Sequence, residues 1–200
     1  SVKRVITAPA WGSELMVEDE VTNLTPQPAE YALLYHCNFG WPLLDADATL
    51  ELPEDRKVTP RSPWAEAGLA DQCRCTAPID GEEERVYFNE VRPSGEDPRA
   101  RLLNRRLRIG AELSWSRDAL ARVLNPRLGI AVELSWSLAT LPILSQWKSM
   151  RSGEYVLALE PSTCYTMGRF AERRHGSMRT LAPFASVRTR VRLRFFEPED

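Results

Sequence analysis

The first candidate for chemistry is a ten-residue segment around one of the two histidines in the chain. Residues 35–44 read YHCNFGWPLL, which places an imidazole, an amide and several aromatic rings close together. Gly40 permits a sharp bend of the backbone, and Trp41-Pro42 forces an extended or turn conformation. Such a turn could aim His36 into a cavity as a general acid or base. The alternative is a structural histidine in an apolar setting, and spacing alone leaves both open.

The second candidate is Glu160, which ends the apolar run of residues 155–159 and immediately precedes Pro161. Strand ends are where β-sandwiches display functional groups, and a carboxyl group beside apolar neighbours resists ionisation. Its pKa should therefore rise towards that of a useful general base. The alternative is a solvated acid at a turn.

Four polar or aromatic residues are lesser candidates for contacts with a substrate. Trp147 could stack on the apolar face of a sugar ring, or it could be a core residue. Asn38 could bind a hydroxyl group, hold His36, or cap a turn. Lys148 and Arg169 could contact an anionic sugar, or simply lie on the surface.

The elements that must position these residues are predicted to be β-strands. Period-two alternation of apolar and polar residues dominates, as in residues 155–159 and 187–194, and it indicates half-buried strands. Helical signals are scarce, and the best of them, residues 117–123, is too short to stand alone. The 15 prolines and 10 glycines lie mostly between the apolar runs, as turns require. We therefore predict an all-β, antiparallel sandwich or barrel, with loops at 53–63 and 92–98 and a solvated turn at 80–84.

An internal repeat lies in the middle of the chain. Residues 100–116 and 121–137 are identical at 12 of 17 aligned positions, and both copies end in ELSWS. Each copy predicts a strand, a turn that opens at Asn104 or Asn125, and a returning strand. Two copies are too few for a solenoid, so we expect successive hairpins of one antiparallel sheet. Trp115 and Trp136 would occupy equivalent places, most simply in the core.

Composition narrows the class of protein. A chain of 200 residues with 43% hydrophobic and 27% charged residues suits one globular domain. A net charge of −2, without a basic patch among exposed aromatics, argues against a nucleic-acid partner. No apolar run is long enough to span a membrane, and no signal-peptide pattern is visible. The four cysteines lack the spacing of a disulfide framework or a zinc knuckle, so we expect a cytoplasmic setting, no metal and no cofactor.

Three segments together resemble a bacterial branch of the aldose 1-epimerase (galactose mutarotase-like) superfamily. They are YHCNFGWPLL at residues 35–44, LPILSQWKSM at 141–150 and GEYVLALEPSTC at 153–164. Their order and spacing agree with the family: an early histidine, a central QWK, and then a glutamate in an LEP strand. The resemblance extends over roughly residues 15–195, and the combination is more specific than any one segment.

The resemblance implies an antiparallel β-supersandwich with an open cleft and, in its mutarotase members, interconversion of the α and β anomers of free aldoses. His36 falls where the family places the acid that protonates the ring oxygen. Glu160 falls where the family places the base that removes the proton of the anomeric hydroxyl. We expect these two groups to converge on opposite edges of one monosaccharide. Further contacts to the sugar are expected from Asn38, Gln146, Trp147, Lys148 and Arg169.

The sequence also departs from the family pattern. Relatives are longer at the N-terminus, where a further histidine and an arginine contribute to the sugar site, and His175 falls too late in the chain to replace that histidine. Residues 1–200 are thus expected to form a single domain that represents the C-terminal two-thirds of the family domain. Anomer interconversion is our first hypothesis. The alternatives are a non-catalytic sugar-binding or sensor module on the same fold, and a structural or metal-bound β domain.

Overall fold

The computed structural model describes residues 1–46, 48–50, 52, 56–91, 102–104, 109–111, 118–125 and 130–196. In chain order the elements are β1 (Val2–Thr7), β2 (Glu14–Thr22), β3 (Ala29–Tyr31), β4 (Cys37–Gly40), β5 (Thr49–Leu50), β6 (Arg56–Pro60), α1 (Pro63–Ala67), a 3₁₀ turn (Leu69–Asp71), β7 (Arg85–Val91), β8 (Leu102–Asn104), β9 (Ile109–Ala111), β10 (Asp118–Asn125), β11 (Ile130–Ser137), β12 (Ile143–Arg151), β13 (Glu154–Ser162), α2 (Arg169–His175), β14 (Arg179–Leu181) and β15 (Ser186–Phe196). Strands predominate, which confirms the predicted all-β class.

Two five-stranded antiparallel sheets dominate the architecture. The first has the strand order β1-β2-β15-β11-β10, and the second has the order β4-β13-β12-β7-β6. Strands β14 and β3 form a small two-stranded sheet, and β5, β8 and β9 form a three-stranded one. The second large sheet carries the candidate residues around His36 and Glu160.

The main hydrophobic core lies between the two large sheets. From the second sheet it receives Phe39, Leu144 and Leu159, and from the first it receives side chains such as Leu134 and Trp136. Trp136 is buried, and its indole nitrogen donates to the backbone oxygen of Leu141 at 3.1 Å. The predicted core role of this tryptophan is therefore confirmed, whereas Trp115 lies outside the described residues.

Residues 187–194, which were predicted from their alternation to form a half-buried strand, lie in β15. In β15 the residues Thr189 and Val191 are buried, while Arg188 and Arg190 on the other face are exposed. The strand pairs with β2 on one side and β11 on the other, so its backbone hydrogen bonds are satisfied in the middle of the sheet.

The repeat forms two hairpins, but they do not share one sheet. The second copy gives β10 and β11, closed by the pair Asn125–Ile130. The first copy gives β8 and β9, closed by Asn104–Ile109, and its ELSWS run lies outside the described residues. The expectation of successive hairpins in one sheet is wrong, because β11 pairs with β15 and β8 pairs with β5.

Two local predictions are corrected. The segment with the best helical signal is the strand β10, since pairing with β11 outweighs the helix propensity of its alanines and leucines. Within the predicted loop 53–63, residues Arg56–Pro60 form the edge strand β6, and the proline ends it where no ladder donor is needed. The predicted turn at 80–84 is present and largely exposed, while 92–98 lies outside the described residues. No helix among the described residues has the length and apolar character that a membrane crossing requires.

Candidate active site

The pairing of β4 with β13 brings His36 and Glu160 together. Cys37 pairs with Leu159, and one step beyond the strand Leu34 bridges Ser162. Because the two segments run antiparallel, His36 falls opposite Glu160, and opposite residues of an antiparallel pair share a face. That face points away from the core, since the intervening Cys37 and Leu159 turn towards it.

The two side chains are in direct contact. His36 Nε2 lies 2.9 Å from Glu160 Oε1, and the imidazole is 46% exposed whereas the carboxyl group is 6% exposed. The other ring nitrogen of His36, Nδ1, lies 2.7 Å from Asn38 Oδ1. An amide oxygen only accepts, so Nδ1 carries a proton and donates it. Nε2 is thereby left as the nitrogen that contacts Glu160.

This contact corrects the expected spacing of the pair. The sequence predicts an acid and a base on opposite edges of one monosaccharide, yet His36 and Glu160 lie side by side without room for a ring between them. Adjacent groups suit a reaction at two atoms bonded to the same carbon. A ligand must approach from the open side of the pair and take over their mutual hydrogen bond.

The environment of Glu160 favours its protonated form. Burial raises the pKa of this carboxyl group above its ordinary value, and the charges of His36 and Arg61 only partly oppose that effect. Glu84 acts in the same direction as burial, because a nearby negative charge disfavours a second one. The rise agrees with the expectation for a carboxyl group at the end of an apolar strand.

Trp147 forms a side wall of the site. Its ring meets the His36 ring edge-on, with centroids 5.6 Å apart and an interplanar angle of 77°. Its indole nitrogen donates to Glu84 Oε2 at 2.7 Å, and the other oxygen of Glu84 accepts from Arg61. The bond to Glu84 fixes the plane of the indole, so one of its faces is held at a set angle to the acid–base pair.

Arg61 and Glu84 were not identified from the sequence. Arg61 follows β6, and its backbone nitrogen donates to Val86 O at 2.9 Å, which extends that edge strand by one residue. Glu84 directly precedes β7. An opposite-charge pair at two strand ends has no local signature, and only the pairing of β6 with β7 brings the two together.

These side chains surround a cavity of about 360 Å³. It is lined by Leu34, His36, Arg61, Glu84, Val86, Trp147, Glu160 and Thr166. The volume lies at the lower end of the range for small-molecule sites, which is about 300–1,000 Å³. The cavity combines an apolar wall with an acid–base pair and an ion pair, so it suits one small polyhydroxylated ligand.

A buried carboxylate holds the loop that carries Thr166. Glu172 of α2 accepts the backbone N–H groups of Tyr165 at 3.0 Å and Met167 at 3.1 Å, the two residues that flank Thr166. Its carboxylate also accepts from the hydroxyl group of Ser177. The loop beside the cavity is therefore anchored from below at both neighbours of the lining residue.

Gln146 and Lys148 do not lie at this cavity. On β12 they alternate with Trp147, so they point to the opposite, buried face. The amide nitrogen of Gln146 donates to the backbone oxygen of Gln72 at 2.8 Å, and Lys148 Nζ donates to the backbone oxygen of Asp71 at 2.8 Å. Burial lowers the pKa of Lys148. These positions do not support the expected contacts with a sugar.

Arg169 and the cysteines also take no part in the contact between His36 and Glu160. Arg169 is the exposed first residue of α2 and does not line the cavity. Cys37 neighbours the site, but burial raises the pKa of its thiol to about 12, so it remains protonated at neutral pH. Among the described residues there is no group of three His, Cys, Asp or Glu side chains that could hold a metal ion.

A second buried carboxylate anchors the residue before His36. Asp19 of β2 accepts from the hydroxyl group of Tyr35 at 2.6 Å and from Arg4 at 2.8 and 2.6 Å. These bonds hold the pKa of Asp19 below its ordinary value, whereas burial raises the pKa of Tyr35 above its own. The chain segment that presents His36 is thus tied to the first sheet through its neighbour.

Comparison with known proteins identifies the family of the chain and solved structures with a similar fold. The family model described as "Domain of unknown function (DUF4432)" matches residues 1–121 and 116–195, and no curated protein matches the chain. The solved structure of a "putative aldose 1-epimerase" from Klebsiella pneumoniae subsp. pneumoniae MGH 78578 matches with a TM-score of 0.83 and 21% sequence identity. The match covers 98% of this chain and 46% of the Klebsiella chain. A "galactose mutarotase related enzyme" from Lactobacillus acidophilus has a TM-score of 0.56 and 11% identity, covering 94% of this chain and 59% of its own.

A protein from Synechocystis sp. PCC 6803 is similar over 98% of this chain and 54% of its own, with a TM-score of 0.62 and 18% identity. The chain therefore spans about half the length of these solved structures. At such identities the likeness is one of fold, and it confirms the predicted galactose mutarotase-like β-sandwich. The prediction of a single domain over residues 1–200 stays a prediction.

Proposed function

The chain belongs to the DUF4432 family, and from the geometry of its site we propose that it supplies the acid–base pair of an isomerase that interconverts the anomers of an aldose or a related sugar. The observation that carries this proposal is the direct contact between His36 and Glu160 at the edge of a monosaccharide-sized cavity. In a pyranose the anomeric oxygen O1 and the ring oxygen O5 are both bonded to C1. An adjacent acid and base can therefore serve both oxygens at once.

The proposed reaction requires one proton on the pair in addition to the proton that His36 Nδ1 donates to Asn38. We infer that this proton lies in the contact between His36 Nε2 and Glu160 Oε1. When that proton resides on Nε2, the pair is an imidazolium and a carboxylate. This is the form that can give a proton to O5 while it accepts one from O1.

Ring opening then transfers two protons and breaks one bond. Glu160 removes the proton of the O1 hydroxyl, the electron pair of the broken O1–H bond forms the second bond of the C1=O1 carbonyl, and the C1–O5 bond breaks as His36 protonates O5. The open aldehyde rotates about its C1–C2 bond. In the reverse step O5 returns its proton to His36 and attacks the other face of C1, while Glu160 returns its proton to O1. No atom or electron is gained or lost, and both groups regain their starting states.

The walls of the cavity can orient a bound sugar. Trp147 offers a flat apolar surface for the C–H face of a sugar ring, and its bond to Glu84 prevents the indole from turning. Arg61 and Glu84 present a donor and an acceptor towards hydroxyl groups, since both line the cavity. Of the residues expected from the sequence to contact the sugar, Trp147 retains that role in this proposal, whereas Asn38 acts by holding His36.

The test is the rate of anomer exchange, measured by NMR saturation transfer above the spontaneous rate for a panel of aldoses. Glu160→Gln should lower the catalysed rate about 10²–10⁴-fold, because the base is lost while the shape is kept. Glu154→Gln is the matched control, since Glu154 is exposed at the other end of β13. We expect the control to retain the wild-type rate.

Equal rates for Glu160→Gln and the wild-type chain would remove Glu160 from the mechanism. Sugar-induced chemical-shift changes without any catalysed exchange would instead favour the binding-module alternative. The absence of both binding and exchange across the panel would contradict the proposal as a whole.

A further inference from the structure

Two buried serine hydroxyls on β12 lack the partners that such groups normally have. The Oγ atoms of Ser145 and Ser149 are buried, and among the described residues neither has a hydrogen-bond partner. Ser145 itself is 0% exposed. Buried hydroxyls are nearly always paired, so an unpaired one requires an explanation.

The position of Ser145 relates it directly to the base. In the pairing of β12 with β13, Ser145 lies opposite Glu160, so both side chains share the face that carries the site. On its other side Ser145 lies opposite Phe88 of β7, and Trp147 is the next residue on the same face. The hydroxyl group is therefore buried on the same face as Glu160, on the neighbouring strand and between apolar residues.

Ser149 has the same chemistry in a different position. It lies on the same strand and the same face, and it is also buried without a partner among the described residues. Its opposite residue on β13 is Val156, which offers no polar group. The chain thus contains its own control for a buried serine that is not next to the base.

During turnover Glu160 loses a hydrogen bond that Ser145 can replace. In the resting site Glu160 has His36 as its partner at 2.9 Å. A sugar that takes His36 Nε2 for its ring oxygen leaves the buried carboxylate without that donor. The O1 hydroxyl of the sugar reaches only one carboxylate oxygen, and an ionised carboxylate in such surroundings is costly unless further hydrogen bonds compensate its charge. A serine hydroxyl can supply one by rotation about a single bond.

We propose that Ser145 is a positioning residue that donates its hydroxyl proton in a hydrogen bond to Glu160 once a bound sugar has drawn His36 away. The inference rests on the proposed function, because it concerns the same base. Ser145 does not touch the reacting atoms, and no covalent step involves it. Its effect is to hold the carboxylate in one orientation and to keep it ionised while O1 still carries its proton.

Four groups that titrate or carry charge face Glu160. Among the described residues, three of them line the same cavity, His36 before β4, Arg61 after β6 and Glu84 before β7, and the fourth, Cys37, lies on the core face but feels the charge of Glu160. Neither Ser145→Ala nor Ser149→Ala changes any of them. A difference between the two variants is therefore due to loss of the Ser145 hydroxyl group beside Glu160, and not to a change in the charges around the site.

The first experiment compares the two variants in the anomer-exchange assay over a range of pH. Loss of one hydrogen bond to a charged group predicts a kcat about 10- to 100-fold lower for Ser145→Ala, with little change in KM. The acid limb of its kcat profile should move to higher pH, because an unsupported carboxylate holds its proton more tightly. Ser149→Ala should match the wild-type chain in kcat, KM and pH profile. Equal effects of the two variants would contradict the proposal.

The second experiment does not depend on catalysis. In a His36→Ala background, which imitates withdrawal of the imidazole, the side-chain carboxyl carbon of Glu160 is titrated by ¹³C NMR. Adding Ser145→Ala should raise the pKa of Glu160, whereas adding Ser149→Ala should not. If this difference appears but no sugar is turned over, the proposed function fails while the role of Ser145 stands. If it does not appear, the role of Ser145 is refuted whatever the activity.

Both substitutions remove a hydroxyl group that is unpaired in the resting chain, so the fold should persist. Thermal unfolding of each variant checks this directly. A midpoint at or above that of the wild-type chain supports the view that the hydroxyl has no partner at rest. A clearly lower midpoint for Ser145→Ala alone would show that it has a structural partner at rest, which contradicts the proposal.

Discussion

The buried carboxylate of Asp19 provides the sharpest test of how the site is anchored. Its side chain is 0% exposed, and it accepts one hydrogen bond from Tyr35 and two from Arg4. Asp19→Asn keeps the size of the side chain but removes its charge and one acceptor. Tyr35 directly precedes His36, so the substitution tests the link between the first sheet and the acid–base pair.

The magnitude follows from the burial of each partner. The bond from the buried Tyr35 to a charged acceptor contributes about 1.5–3 kcal/mol to the free energy of unfolding. The Arg4 side chain is 49% exposed, so its ion pair is screened by solvent and contributes at most about 1 kcal/mol. Together these give a loss of about 2–4 kcal/mol at pH 7. For a chain of this length the unfolding midpoint should fall by roughly 4–16 °C.

The dependence on pH has a definite sign. The pKa of Asp19 is lowered in the folded chain, so its stabilisation is present above the unfolded pKa of 3.8 and is lost as the pH falls through the folded pKa. The difference between the wild-type chain and Asp19→Asn should therefore shrink on acidification. Urea unfolding followed by tryptophan fluorescence at pH 7 and at pH values below 4 measures this difference.

Glu18→Gln is the matched control for this experiment. Glu18 is the neighbouring residue on β2, it is exposed, and the same loss of charge there should change the unfolding free energy by less than about 0.5 kcal/mol. A loss below about 1 kcal/mol for Asp19→Asn at pH 7 would refute the anchoring argument. A loss that is the same at both pH values would refute the assignment of the effect to the ionised carboxylate.

Two further predictions concern the other buried carboxyl groups. Glu160→Gln should raise the unfolding free energy at neutral pH, because burial raises the pKa of Glu160 and each pH unit of that rise costs the ionised form about 1.4 kcal/mol. Because the folded pKa of Glu160 is raised, the stability that its protonated form contributes is fully present below the unfolded pKa of 4.5 and is lost as the pH rises through the folded pKa. The stability advantage of Glu160→Gln should therefore vanish in acid. A Tm of the variant that is equal to or lower than that of the wild-type chain at neutral pH would contradict this prediction. Glu172→Gln should lower the unfolding free energy by about 1.5–3 kcal/mol, because its amide group cannot accept from Tyr165, Met167 and Ser177 at once. Denaturant unfolding checks this value, and an unchanged midpoint would show that the loop beside Thr166 is held by other contacts.

The sequence sufficed for the fold class, and it singled out His36 and Glu160, which the structure brings into contact, because both depend on local patterns. Alternation predicted the strands, and the apolar surroundings of Glu160 predicted the direction of its pKa. The same alternation already implies that Gln146 and Lys148 cannot share a face with Trp147 on one strand. Applying that rule to the QWK motif would have removed both from the expected sugar contacts.

The sequence did not suffice for distances between segments that are far apart in the chain. The contact between His36 and Glu160 depends on the register of β4 against β13, which no local pattern determines. Arg61 and Glu84 join the site through the pairing of β6 with β7 for the same reason. The strand β10 shows the converse, since its helix-forming residues adopt the conformation that its neighbour in the sheet imposes.

Because His36 and Glu160 meet across two paired segments, their contact, and with it the proposed reaction, is sensitive to chain length in whole residues. One residue inserted between His36 and β4 would turn the imidazole to the core face, because side chains alternate. Two inserted residues would restore the face but displace the imidazole along the strand by about 7 Å, beyond reach of Glu160. Loops elsewhere can lengthen without this penalty, whereas an insertion or deletion among residues 36–40 or 157–160 would separate His36 from Glu160.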